Sequence, residues 1–448
     1  MTGVSTLAAP ATGTARLTAG LLAITVFSAF EQMAVGPVMP IVSTALGGVE
    51  QYGLAFASAL ATGVVGMVAA GIVIDRGRLA AAFLVSGILF SIGLLVMAIA
   101  PHMDVFIAGR LVQGLGSGGL AVCGFATVGA AYPVERHRPV LGLVASGWLL
   151  PSMFGPGLAV LVTEIADWRW LFLGVAVTAP LALVLVVPPL WRVRSEVAPS
   201  TRRAALIRLL LSMLVGAGVL VVSAAPGIAP QLTVVAVIVG IAVVVTGLWP
   251  VLPRGFFVFR RGLPAAIAAR ALGAAAIYSV QAYLPLMLAQ SSPDGVLLGG
   301  LVLTAAAVGW AVAAVLSSQL QRRFSASAAV RAGSIVLAAG IALTTVAIGV
   351  GWGVAALASI WAVVGLAMGV LSPATTALVL RFPDGRGSNT AAMTISESSF
   401  SAAGIALGGV LVASLPGQLG FVMVASSGLV FAVAGVVAAL RATTGGEV

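Results

Sequence analysis

The chain has 448 residues but no lysine, one cysteine and two histidines, and only 8% of its residues are charged, against about a quarter in soluble domains. Each scarcity removes a class of function. Cys123 alone cannot build a disulfide framework, and with only His102 and His137 to join it there is no metal-ligand set, so no metal is expected. The 12 acidic residues are not gathered with His or Cys side chains into a cluster. That argues against a membrane-embedded enzyme, and no catalytic residue is assigned. The 22 basic residues, all arginine, give a formal net charge of +10. They are scattered between apolar runs and not clustered with aromatics, so a nucleic-acid partner is a poor reading. No phosphate-cradling glycine loop points to direct ATP drive.

What remains is apolar: 60% of the residues are hydrophobic and the mean hydropathy is +1.17. A helix needs about 20 largely apolar residues to cross roughly 30 Å of hydrocarbon. Fourteen such runs follow one another, at 17–46, 50–74, 79–100, 104–132, 139–162, 168–190, 207–225, 230–252, 263–290, 296–320, 329–350, 353–380, 388–414 and 418–440. Their connections leave no room for a soluble domain. A small-residue segment precedes the first run instead of following it, so that run reads as a retained span and not a signal peptide. The expectation is an all-α integral membrane protein with 14 transmembrane helices, in two six-helix bundles plus a two-helix central insert.

Arginine placement orients the spans, because positively charged loops stay cytoplasmic. With both termini inside, the loop arginines fall on the cytoplasmic side except Arg169. The chain therefore reads as a multi-pass protein of the cell membrane with this organisation: a cytoplasmic tail, 1–16; a first bundle, 17–191; a loop, 192–206; the insert, 207–252; a loop, 253–262; a second bundle, 263–440; and a tail, 441–448. The insert is built of Leu, Val, Ile, Ala and Gly, with no ionisable residue beyond Arg208 at one end. A packing role at the bundle periphery is expected of it.

Three segments carry more than hydrophobicity. Gly71-Ile-Val-Ile-Asp-Arg-Gly-Arg78 follows the second span, Gly109-Arg-Leu-Val-Gln-Gly-Leu-Gly-Ser-Gly-Gly119 lies in the fourth, and Gly147-Trp-Leu-Leu-Pro-Ser-Met-Phe-Gly-Pro-Gly157 in the fifth. Asp75 at a helix end beside Arg76 and Arg78 can make charge-assisted hydrogen bonds that hold one closure state. Glycines in the fourth span let a neighbouring helix approach closely. Pro151 and Pro156 favour a kink, and Gly155 allows tight packing there.

In this order, the three segments resemble motifs of the major facilitator superfamily, and with fourteen spans the whole chain is similar to its drug:proton antiporter branch. The chain departs from the branch at Gly77, which follows Arg76 without a spacer, and at Gln281, where an acid is expected. The loop Ser317-Ser-Gln-Leu-Gln-Arg-Arg323 also lacks an acid. The resemblance implies a proton-coupled antiporter that exports lipophilic small molecules, cationic ones among them, such as drugs or antibiotics, by alternating access. It further implies gating by Asp75, Arg76, Arg78, Gly155 and Pro156. The expected partners are a small-molecule substrate, protons and the lipid bilayer; the expected form is a monomer with no cofactor, driven by the proton gradient. An exporter or flippase of a lipid or of an endogenous secreted metabolite stays open as the alternative.

Four charges fall inside spans: Glu31, Arg110, Arg270 and Glu397. At 1.5 Å rise per residue, Glu31 lies roughly 21 Å above the cytoplasmic face and Arg110 roughly 9 Å below the outer one, the same depth in a 30 Å core. Glu397 at about 13 Å and Arg270 at about 10 Å match likewise. An unpaired charge there is costly, so Glu31 is expected to meet Arg110 and Glu397 to meet Arg270, as proton-coupling and substrate groups or as static pairs fixing helix registry. Further cavity candidates are Gln32, Gln113, Gln281, Tyr278, Trp148 and Trp310, with Met33, Met39 and Met287 as adaptable packing surface. Trp168 and Trp170 are expected as interfacial anchors.

Overall fold

The computed structural model of the chain describes residues 11–193, 201–227, 230–382 and 386–443. The tail stretches 1–10 and 444–448 and the loop stretch 194–200, with Arg194, lie outside the described residues, as do the side chains of Arg138, Arg322 and Arg386. In order, the helices are α1 (Ala11–Ala45), α2 (Tyr52–Ile74), α3 (Leu79–Ala98), α4 (Met103–Ala131), α5 (Val134–Ser146), α6 (Leu149–Ile165), α7 (Arg169–Leu190), α8 (Arg202–Ala224), α9 (Pro230–Leu248), α10 (Leu263–Ser291), α11 (Gly295–Arg323), α12 (Ala326–Val350), α13 (Val354–Leu380), α14 (Arg386–Ser414) and α15 (Gln418–Arg441). They make 14 spans long and apolar enough to cross a membrane, because α5 and α6 share one.

The shared span breaks for a chemical reason. Pro151 has no N–H to bond the Gly147 carbonyl, and the chain turns there through the tighter bonds Gly147 N to Val144 O (3.0 Å) and Trp148 N to Ala145 O (3.2 Å). Gly77, the residue that departs from the family spacing, takes a φ of 75°. It ends α2 in the left-handed conformation that glycine adopts without strain.

Helices α1–α7 form one bundle and α10–α15 the other. In the first, α4 lies against α2 and α3 on its glycine face: a Cβ on Gly118 would stand 1.9 Å from the Gly63 carbonyl oxygen, and one on Gly116 2.2 Å from the Phe90 nitrogen. The second bundle repeats this between α13 and α11, where a Cβ on Gly365 would stand 1.9 Å from the Ala306 oxygen. With no hydrophobic effect between helices in lipid, such backbone proximity supplies the packing.

The bundles meet along two seams, α2 with α14 and α6 with α11, and α1 also touches α10 and α11. Let the near face be the one where α1 begins and α15 ends, and the far face its opposite. Among the described residues, the glycine close approaches between bundles lie in the far half: Gly53 against Gly409, Gly36 against Leu303, and Gly300 against Val160 and Pro37. The insert, α8 with α9, does more than line the periphery. Helix α8 packs on α2 of one bundle and α14 of the other, so it lies over their seam.

Candidate functional site

The site is built from polar side chains that apolar helices bring into register. On α4, Arg110 and Gln113 are three residues apart and share a face. Arg110 Nη1 lies 2.6 Å from Glu31 Oε1, and the same nitrogen donates to Gln113 Oε1 at 3.3 Å. Gln113 Nε2 donates to Glu31 Oε2 at 2.9 Å, and Arg110 Nε donates to the Ala55 carbonyl oxygen at 3.1 Å. Both carboxylate oxygens are therefore held, and the guanidinium ties α1 to the backbone of α2. Glu31 is 3% exposed, and Arg110 and Gln113 are buried. Attraction and hydrogen bonds offset the desolvation of the two charges only because so few valences are left open.

The second bundle pairs its charges differently. Arg270 Nη2 lies 2.9 Å from Glu397 Oε1, with the Glu397 side chain 20% exposed. Arg270 is buried, yet its Nε and Nη1 have no hydrogen-bond partner among the described residues. On α10 every residue from Ala265 to Leu288 is buried except Tyr278 and Gln281. Tyr278 lies within electrostatic reach of both Glu397 and Arg270.

The remaining expected residues are spread more widely. Gln32 is exposed beside Glu31 and takes no part in the network among the described residues. Trp148 is exposed at the break between α5 and α6, and Trp310 is half-buried against the core of the second bundle. Gly155 faces α1, where its Cβ would stand 3.1 Å from Met33 Cβ; the Pro156 carbonyl lies against Gly300 of α11. Met39 and Met287 are core residues. Asp75 pairs with Arg208 of the insert at 3.8 Å, while its sequence neighbours Arg76 and Arg78 point to solvent-accessible surface.

Trp168 differs from expectation. It is 3% exposed, packed edge-on against Phe106 and Phe172, with the Arg169 guanidinium 4.3 Å from its ring. A ring among aromatics gains more from that packing than from the interface. Trp170 is the exposed one of the two.

Sequence reasoning did not single out the far-face seal. Tyr52 Oη donates to the Ala282 carbonyl oxygen at 2.9 Å, the Tyr52 and Tyr283 rings are 5.6 Å apart, and Tyr283 Oη donates to the Ile405 carbonyl oxygen at 2.7 Å. Gly53 and Gly409 let the backbones meet beside them. A cavity of about 340 Å³ lies at the seal, bounded by Glu50, Gln290, Phe421 and Pro226 of the insert's turn. Of the four tyrosines in the chain, Tyr52 at a span end was the available signal; Tyr283 lies two turns inside its own span.

Known proteins share this plan. The family described as Major Facilitator Superfamily matches residues 21–405. A protein of Mycobacterium tuberculosis (strain ATCC 25618 / H37Rv) named "Probable multidrug-efflux transporter" is 29% identical over 387 residues, 79% of each chain. The multidrug efflux pump SdrM of Staphylococcus aureus (strain N315) is 25% identical over 171 residues, 38% of each chain. A crystal structure of a POT family transporter in complex with 5-aminolevulinic acid superposes with a TM-score of 0.70 at 14% identity, over 93% of this chain and 94% of that one, and shows the common fold. The chain belongs to the Major Facilitator Superfamily: it is a multi-pass membrane transporter of small molecules and not an enzyme.

Proposed function

We propose that the chain is a proton-coupled antiporter that exports lipophilic solutes, cationic ones among them, across the cell membrane, as a monomer with both termini cytoplasmic and no cofactor beyond the proton gradient. One observation carries the coupling: Arg110 joins the Glu31 carboxylate to the Ala55 carbonyl, one turn along α2 from Tyr52 and Gly53 at the seal. A proton on Glu31 removes half of the ion pair. Arg110 then loses its strongest tether, and α2 loses the brace that holds Tyr52 and Gly53 against the second bundle.

With the termini in the cytoplasm, the far face is the outer face, so this conformation is closed outward. Solute enters from the cytoplasm. Outward opening exposes Glu31 to external protons, and return to the closed form releases the proton inward. A cationic solute competes with that proton for the same carboxylate, which makes the two fluxes opposite. Multidrug-efflux relatives support the solute class, and the arginine distribution supports the orientation.

The test is proton and solute flux in reconstituted vesicles carrying an imposed pH gradient. Glu31→Gln is expected to abolish solute movement against its own gradient while leaving slow downhill exchange. Gradient-driven export undiminished in normally folded Glu31→Gln protein would sink the coupling role.

A further inference from the structure

The two buried arginines are not equivalent. Arg110 has Nε and Nη1 both bonded, whereas Arg270 keeps Nε and Nη1 without a partner among the described residues although the residue is more than nine-tenths buried. Buried donors left unmade are costly, and those of a charged group most of all. A helix packed as tightly as α10 keeps such a group only where something meets its donors during the working cycle.

The surroundings say what that is. Gln281 lies eleven residues, three helical turns, beyond Arg270 on the same face of α10, and Tyr278 is its neighbour one turn back. These two are the half-buried side chains in the otherwise buried stretch from Ala265 to Leu288. On α14, Glu397, its side chain 20% exposed, lies within electrostatic reach of Tyr278, and half-buried Phe400, packed on Phe256, follows it by one turn. Free donors on a helix whose other side chains around Arg270 are apolar, with one carboxylate already engaged, suit an oxygen acceptor attached to an apolar body. A bare cation would find Glu397 already neutralised by Arg270.

We infer that Arg270, with Glu397 and Tyr278, is a receiving site for a hydrogen-bond-accepting oxygen, a carbonyl or a carboxylate, on an otherwise apolar transported solute. The inference rests on the export reading for its solute, and it divides the labour between the bundles. The closed network of Glu31, Arg110 and Gln113 takes the proton or the positive charge of the solute, while the open pair of Arg270 and Glu397 takes the acceptor oxygen of the solute.

Binding to the full chain in lipid nanodiscs, at fixed pH and without a gradient, tests it with three probes of similar apolar bulk. Tetraphenylphosphonium has no acceptor oxygen, rhodamine 6G has an ester, and rhodamine B has a free carboxylate. Arg270→Gln is expected to weaken a rhodamine about tenfold, the worth of one charge-assisted hydrogen bond, without weakening tetraphenylphosphonium. Loss for both rhodamines assigns a carbonyl acceptor, and loss for rhodamine B alone a carboxylate. Glu397→Gln leaves the charge of Arg270 without its counter-ion and is expected to tighten rhodamine B. A pair that only holds helices together would shift all three probes in the same direction in both variants, and that result overturns the inference. Arg270→Gln/Glu397→Gln, which buries no charge, guards against misfolding of the single variants, and unchanged rhodamine affinity in it overturns the inference equally. If the unaltered chain binds tetraphenylphosphonium but neither rhodamine, this inference falls and the export reading stands. If it binds none of the three, both fall.

Discussion

Tyr52 of the first bundle donates a hydrogen bond to the carbonyl oxygen of Ala282 in the second, at 2.9 Å. The two residues are 230 positions apart in the chain, and the bond they share crosses the seam that must part when the far face opens.

Removing that bond is expected to favour opening. A net hydrogen bond contributes about 1 kcal/mol, so Tyr52→Phe shifts the equilibrium between closed and open far faces roughly fivefold. The check is the labelling rate of Val412→Cys, on the wall of the far-face cavity, by a membrane-impermeant maleimide in a Cys123→Ser background. An unchanged rate would show that the bond does not hold the closed state.

Gly53 tests the same closure by steric means. A Cβ there would lie 2.9 Å from the Gly409 Cα and 2.6 Å from Tyr283 Oη, and Gly409 is backbone that cannot swing away. Gly53→Ala is expected to raise far-face labelling more than Tyr52→Phe does and to slow transport. Its thermal stability should fall little, because the clash is relieved when the bundles separate.

Within the first bundle the outcome reverses. Gly118→Ala places a methyl 1.9 Å from the Gly63 carbonyl oxygen inside a rigid unit with no alternative arrangement. The expected cost is about 1–3 kcal/mol, read as a lower melting temperature in detergent. Gly124, farther along α4, has open space around it, and Gly124→Ala should stay within about 0.5 kcal/mol of the parent.

The Glu31 network predicts a stability pattern separate from the transport role proposed for it. Arg110→Gln strands a carboxylate in the core, at a cost of about 3–5 kcal/mol. Glu31→Gln/Arg110→Gln restores a neutral, hydrogen-bonded pair and should recover most of the melting temperature but none of the gradient-driven transport. Equal melting temperatures for the single and double variants would refute the network as a source of stability.

Much of this was legible in the sequence because the bilayer reduces the problem to one dimension. Apolar run length locates the helices, and rise per residue locates a charge in depth, so Glu31 and Arg110, and Glu397 and Arg270, could be matched before any packing was known. Depth does not give azimuth. Gln113 counts as one polar residue among several in the sequence; only the fold shows it closing the second oxygen of Glu31. Asp75 illustrates the opposite error. Its chain neighbours are arginines, yet its partner is Arg208 from the insert, since α8 packs on α2 and no periodicity in α8 announces that contact. Trp168 was misplaced for a related reason: a tryptophan near a span end looks the same in sequence whether its ring faces lipid or, as here, Phe106 and Phe172.

The hairpin of α8 and α9 breaks the symmetry of the six-plus-six plan. Two equal bundles leave two equivalent slots facing the lipid, and α8 covers one of them by resting on α2 and α14 together. The slot between α6 and α11 has no such cover among the described helices. A solute dissolved in the bilayer therefore finds a molecule with a front and a back, and sideways access, where it occurs, is confined to the α6–α11 flank.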